Sequence, residues 1–235
     1  MDYKYQGIIL SKKDVGETDR IYTIYTFEAG KIRILGKGVR KPNAKLAGNL
    51  ESVTLAEIFA AKSRGMGKIT GAIAVNNFSN IKSDLVLTGR VFYAFRILGK
   101  IISEEEKDQV TFDLLKKYLE TINLAKDENG ADIVTLGLVF KVLDEMGYRI
   151  EVERCVRCGK KLALEKNCFS ASRGGILCRK CQPAENDKTA ISNESIKLLR
   201  IFLKNKLESL IKLRVDKRDV NNLKIIVQET INWMA

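Results

Sequence analysis

From residue 155 to residue 181 the chain reads CVRCGKKLALEKNCFSASRGGILCRKC, in which Cys155, Cys158, Cys178 and Cys181 form two C-x2-C pairs separated by 19 residues. Each C-x2-C turn presents two sulfurs to one point, and two such turns supply the four thiolates that a tetrahedral Zn2+ takes. Gly159 follows the first pair, where the backbone has to fold back toward sulfur. Arg154, Arg157, Lys160, Lys161, Arg179 and Lys180 offset the negative charge of a four-thiolate centre. The pattern favours a structural zinc ribbon over residues 152–184, with one Zn2+ per chain. A redox C-x-x-C pair is one alternative, although such motifs come singly beside a βαβ pattern. Catalytic zinc is the other, although four cysteines leave no open coordination position. Cys168 lies between the pairs without a partner at ligand spacing and reads as a small core residue.

Upstream of the ribbon the pattern changes twice. Residues 1–80 carry short apolar or alternating runs at 6–10, 20–27, 31–39, 52–59 and 69–75, rich in Ile, Val, Tyr, Thr and Phe. Glu28-Ala29-Gly30 between two of them reads as a hairpin turn. Five strands in so short a stretch predict a small barrel, because closing the sheet removes its exposed edges. From residue 81 the period becomes helical. Leu85, Phe92 and Phe95 share one face and Leu87, Val91, Leu98 and Ile101 another, which predicts a central helix buried on many sides. Further helices are expected around 110–122, 132–146 and from Ser192 onward, the last with Ile196, Leu199, Leu203, Leu207 and Leu210 on one face. The class is therefore α+β, with a barrel over 1–80 and a helical domain over 81–235 into which the ribbon is inserted.

Composition limits what such a chain does. Its 235 residues include no histidine, which excludes a Ser-His-Asp triad, a Cys-His pair and any His-ligated metal. The formal net charge is +12. It divides as +6 over residues 1–80, −3 over 81–151, +6 over 152–184 and +3 over 185–235. A basic balance concentrated in a barrel and a ribbon points to a polyanionic partner, nucleic acid before an anionic membrane. No apolar run reaches the roughly 18 residues of a transmembrane helix. The N-terminal residues lack the pattern of a secretory signal, so a cytoplasmic protein is expected.

Near the N-terminus, Gly7-Ile8-Ile9-Leu10, Glu17-Thr18-Asp19, Thr26-Phe27, Gly30-Lys31 and Gly36-Lys37-Gly38-Val39-Arg40 resemble the opening strands and loop of the RecO family, bacterial recombination mediators of DNA repair. Cys155-x-x-Cys158-Gly159, Phe169-Ser170, Gly174-Gly175 and Cys178-x-x-Cys181 resemble that family's ribbon. The resemblance runs along essentially the whole chain. It implies an OB-fold barrel and a helical domain carrying a zinc site. It also implies binding of single- and double-stranded DNA, annealing of complementary strands, and cooperation with RecR in helping RecA load on protein-coated single strands. Contact with the acidic tail of single-strand-binding protein, and work in the bacterial cytoplasm at the nucleoid, follow from the same resemblance.

The residues support a DNA-binding reading independently. An OB barrel holds single strands in a cationic groove with aromatics that stack on bases. Arg20, Lys31, Arg33, Lys37, Arg40, Lys41, Lys45, Arg64 and Lys68 supply the charge. Alternation places Arg33 outward, opposite Ile32 and Ile34. Tyr22, Tyr25 and Phe27 suit either stacking or the barrel core. In the loop 37–45, two nearby glycines are expected to let backbone approach phosphate. Lys197, Arg200 and Lys204 line one stripe of the later helix, a solvated face or a receptor for an acidic partner tail. The expected function is non-enzymatic. A zinc-ribbon RNA-binding or translation-associated protein is the alternative.

Overall fold

The computed structural model describes residues 2–44, 46–61 and 66–234. Two compact units are present: Met1–Phe95 with Ile102–Leu124, and Arg96–Ile101 with Ala125–Ala235.

The first unit is built on five strands, β1 (Asp2–Val15), β2 (Asp19–Thr26), β3 (Gly30–Gly36), β4 (Leu55–Ala61) and β5 (Lys68–Asn76). They close into a barrel in the order β1-β2-β3-β5-β4, with β3 and β5 parallel. That order and its parallel closure are those of an OB-fold. β1 is far longer than the apolar run at 6–10, because one strand has to serve two neighbours. Residues 2–8 pair with β4 and residues 7–15 with β2, and a bulge between Ile9 and Ser11 bends the strand from one partner to the other. The polar stretch Ser11-Lys12-Lys13-Asp14 hides its strand character from a hydrophobic reading. Inside, Ile9, Tyr22, Ile24, Leu50 and Ile58 are wholly buried. Each apolar side chain so buried contributes about 1.5–3 kcal/mol.

Gly30 closes the β2–β3 hairpin at φ +66, and Thr26 Oγ1 donates to its carbonyl at 2.9 Å. A Cβ at Gly30 would lie 1.9 Å from the carbonyl oxygen of Glu106, so the segment after residue 102 sits directly on this turn. Gly30→Ala should therefore lose the roughly 1–2 kcal/mol of left-handed strain plus a backbone collision. Gly16→Ala, at φ +59 with nothing within 4 Å of its Cβ, should lose the strain alone. A thermal melt in which Gly30→Ala falls no further than Gly16→Ala would show that the close approach is not maintained.

Three helices follow, α1 (Ser79–Ser83), α2 (Leu85–Ile101) and α3 (Gln109–Ile122). Asp108 caps α3, accepting from the N–H groups of Val110 and Thr111. α2 is not buried on many sides. Leu87, Val91, Ala94, Phe95 and Leu98 are covered, but Leu85 is 89% exposed and Phe92 44%. The helix enclosed all round is α4 (Glu128–Glu145), whose residues Ile133 to Phe140 are all buried in the second unit. Its run Ile-Val-Thr-Leu-Gly-Leu-Val-Phe has no polar stripe, which is the pattern of an enclosed helix.

The ribbon contributes β6 (Asn167–Ser170), β7 (Gly175–Leu177) and β8 (Thr189–Ile191), paired in the order β7-β6-β8. Ser192 then caps α5 (Asn193–Lys204) through the N–H of Ser195, as its position predicts. α5 stops at Lys204, so Leu207 and Leu210 belong to a separate turn, α6 (Leu207–Leu210), before α7 (Lys217–Met234). Phe202 of α5 stacks on Phe140 of α4 at 6.1 Å. Among the described residues no helix is long and apolar enough to cross a membrane.

Candidate nucleic-acid interface and metal centre

Pairing register sorts the barrel's side chains. Tyr22, Ile24 and Ile34 face inward, so Thr23 and Ile21 of β2 share the outer face with their partners Arg33 and Leu35 of β3. Ser11 and Lys13 of β1 pair with Thr23 and Ile21, and Leu35 pairs with Lys68 of β5. The outer face is thus a half-buried floor of Ile21, Thr23 and Leu35 bordered by the exposed cations Lys13, Arg33 and Lys68. Lys13 escapes the sequence reading because the stretch that holds it lacks apolar alternation.

The turn after β3 adds Lys37, Arg40 and Lys41, all exposed. It is a built turn and not a free loop. Val39 is buried in the barrel core, Arg40 N–H donates to the Thr18 carbonyl at 2.9 Å, and Gly38 N–H donates to Asp19 at 2.7 Å. That last bond, with the charges of Lys37 and Lys41, holds the Asp19 carboxyl below the usual carboxylate range. The glycines therefore do not serve a phosphate. The Gly38 amide is already spent on Asp19 at φ +67, and a Cβ on Gly36 would lie 2.6 Å from the Tyr22 ring.

The other expected DNA-binding residues divide. Arg20 and Arg40 both lean on Asp14, at 2.6 and 3.3 Å. Lys31 is buried, with its ammonium on the Ile102 carbonyl and its pKa lowered by burial, so it does not border any outer groove. Segment 102–106, whose residue Glu104 bridges to Lys31, covers that position. Lys45 and Arg64 lie outside the described residues.

Of the three aromatics that suit either stacking or the core, the two tyrosines are core and Phe27 is half-buried. Tyr22 and Tyr25 are wholly buried, and burial pushes the Tyr25 phenol up to about 12. Phe27 meets the edge of Phe112 at 5.6 Å. Among the described residues the most accessible barrel aromatic is Tyr3, which stacks on the half-buried Tyr5 at 6.0 Å in a cleft shared with Ile32, Arg33, Gly67 and Glu105. Their alternation at positions 3 and 5 is the sequence signal, at the start of a strand whose apolar run begins later.

In the second unit the sulfurs of Cys155, Cys158, Cys178 and Cys181 all lie within 4.8 Å of one another. Metal–sulfur bonds of about 2.3 Å in a tetrahedron place sulfurs about 3.8 Å apart, and Cys158 and Cys178 stand 3.9 Å apart. Both C-x2-C segments are tight turns: Gly159 N–H donates to the Cys155 carbonyl at 2.9 Å, and Cys181 N–H to the Cys178 carbonyl at 2.9 Å. Gly159 makes the first turn at φ +70. Cys178 N–H points at the Cys155 sulfur at 3.4 Å. Burial raises the Cys155 thiol, but N–H donors from Cys178, Cys158 and Arg157 outweigh it and bring it to about 6. Burial and hydrogen bonds that its own S–H donates to the neighbouring sulfurs push the Cys181 thiol up to about 12. Four sulfurs this close can hold one metal ion. Among the described residues, Leu177, Val156 and Leu162 pack with these cysteines. Cys168 on β6 stands outside the cluster, its thiol raised by burial.

The stripe Lys197, Arg200 and Lys204 is largely engaged. Arg200 donates twice to the Val152 carbonyl, at 2.9 and 2.6 Å, and lies 3.5 Å from Glu153. Lys204 reaches Glu153 at 2.9 Å and Lys197 reaches Glu194 at 3.4 Å. Two of these side chains tie α5 to the strand entering the ribbon.

The family model described as Recombination protein O N terminal matches residues 1–78, and that described as Recombination protein O C terminal matches residues 82–234. The chain belongs to the RecO family. A protein named DNA repair protein RecO from Dehalococcoides mccartyi strain 195 is 29% identical over 233 residues, 99% of this chain and 90% of its own length. Its namesake from Roseiflexus sp. strain RS-1 is 30% identical over 213 residues, 91% of this chain and 74% of its own. That from Bacillus pumilus strain SAFR-032 is 31% identical over 199 residues, 85% and 76%. Membership in the RecO family thus extends over both the barrel and the cysteine ribbon.

Proposed function

We propose that this protein is a non-enzymatic DNA-binding mediator of recombination in DNA repair. The observation that carries the reading is the outer barrel face, where Lys13, Arg33 and Lys68 border a half-buried floor next to the Lys37-to-Lys41 turn. That is the surface on which OB-folds bind oligonucleotides. Cations on one surface neutralise phosphates and lower the repulsion that slows two strands from pairing. Annealing then needs no nucleotide hydrolysis.

Membership in the RecO family, whose relatives carry the name DNA repair protein, supports the biological setting. Within the proposal, single- and double-stranded DNA are ligands, RecR and the acidic tail of single-strand-binding protein are partners, and RecA loading is the outcome. The bacterial cytoplasm, at the nucleoid, is the place of action. The ion in the ribbon is proposed to be structural Zn2+, held by Cys155, Cys158, Cys178 and Cys181, because four thiolates and no open position suit that ion.

Competition decides the ligand. A labelled single-stranded oligodeoxynucleotide bound to the chain should be displaced by unlabelled single-stranded DNA at far lower concentration than by structured RNA. The chain should also accelerate annealing of complementary strands coated with single-strand-binding protein, and lose that acceleration when the coat lacks its acidic tail. Preference for structured RNA would overturn the reading.

A further inference from the structure

We propose that a cleft of about 210 Å3 beside the ribbon sheet is a second strand-binding site, in which a base of single-stranded DNA stacks on Trp233 while Arg149 and Arg173 hold the flanking phosphates. The inference rests on the chain being a single-strand binder and adds where, in the second unit, a strand lies. Tyr148 and Trp233 wall the cleft and are 41% and 54% exposed, while Phe169 and Thr230 form its buried floor. Exposed aromatics beside arginines are the combination that holds unpaired bases, since every base has a face to stack and every linkage a charge. The volume is below that of a drug-sized site and suits one base.

Charge complementarity selects the occupant. The ribbon segment 152–184 carries +6, and its Arg154, Arg157, Lys160, Lys161, Lys166, Arg179 and Lys180 are all exposed on the same unit. The cleft's own arginines face one carboxylate each, Arg149 with Asp144 at 3.7 Å and Arg173 with Glu185 at 2.6 Å. Arg149 is 66% exposed, and its long contact to Asp144 is of the surface kind that exchanges readily for phosphate. Arg173 keeps the largely buried Glu185 and offers phosphate the outer N–H groups of its 45% exposed guanidinium. A chain with separate strand sites on barrel and ribbon can hold two strands at once, which is what pairing them requires.

Trp233 is the only tryptophan in the chain, so it reports on its own occupancy. The full metal-loaded chain is titrated with labelled oligothymidylate, following label anisotropy together with tryptophan emission excited where tyrosine does not absorb. Emission should be quenched in step with the rise in anisotropy, and an abasic phosphodiester of equal length should leave it unchanged. With the barrel site intact, Trp233→Ala should weaken binding of the second oligothymidylate, read from the second equivalent in the anisotropy titration, by roughly 5- to 100-fold, and Trp233→Phe by far less. Arg149→Ala with Arg173→Ala tests the cleft while keeping the reporter, and should shift the quenching curve to higher DNA concentration. A rise in anisotropy with unquenched emission overturns this inference and leaves the mediator reading standing. No rise at all defeats the mediator reading itself. Quenching by an acidic peptide but not by oligothymidylate makes the cleft a protein-docking site and also overturns the inference.

Discussion

Cys155→Ser should leave the chain without its bound metal and with its two cysteine turns disordered. Beside the cysteines themselves the cluster around the sulfurs holds Leu177, Val156 and Leu162, so the turns at 155–159 and 178–181 have little apolar packing of their own, while Phe169 and Ile176 stay buried in the sheet between them. Structural zinc supplies on the order of 10–16 kcal/mol in finger peptides, and an ion of that kind in the proposed site would hold the two turns together. Metal analysis should give one Zn2+ per chain in the parent and none in the variant, and limited proteolysis should cut the variant between residues 152 and 184. Chelation of the parent should produce the same pattern. Cys168→Ser keeps all four ligands and should keep the metal. Loss of metal from both variants would refute the ligand assignment. Intact folding of the zinc-free chain would refute the structural role.

Replacing Lys37, Arg40 and Lys41 together by Gln should weaken single-strand binding by about a hundredfold at 0.1 M salt. For single strands the logarithm of affinity falls with a slope of about 0.7 per phosphate neutralised, so three contacts at that salt amount to about two decades. The log–log salt slope should become shallower by about 2 units. These three side chains lie on an anchored turn, and Val39 and Asp19 hold its backbone without them. The loss should therefore be one of affinity with an unchanged melting temperature. Neutralising Lys197, Arg200 and Lys204 should do the reverse, because Arg200 and Lys204 tie α5 to Val152 and Glu153. The melting temperature should fall and DNA affinity should change little. The opposite ranking would move the principal strand site from the barrel to the helical unit, and a flat salt response would remove the electrostatic mechanism.

The four-cysteine cluster was legible in the sequence because its geometry is local. Two residues between cysteines force a turn, and the turn puts both sulfurs on one side whatever surrounds it. The barrel was legible as five β-rich runs, since alternation and β-branched residues mark half-buried strands. The helix start at Ser192 is likewise short-range, as a side-chain oxygen meets an N–H group of the next turn. The aromatics of the barrel and the stripe on α5 were not legible. Tyr22 and Tyr3 are the same residue type on similar alternating strands, but one is sealed in the core and the other lies at an open cleft.

The sequence alone determined three things: that four cysteines converge on one point, that no histidine chemistry is present, and that basic charge belongs to the barrel and the ribbon. These depend on residue type, spacing and count. Tertiary structure alone decided which cations face solvent. Lys31 and Arg33 are two residues apart on one face of β3, yet segment 102–106 covers the first and leaves the second open. Alternation fixes the side of the sheet to which a residue points, and only the packing of distant chain decides whether that side is wet.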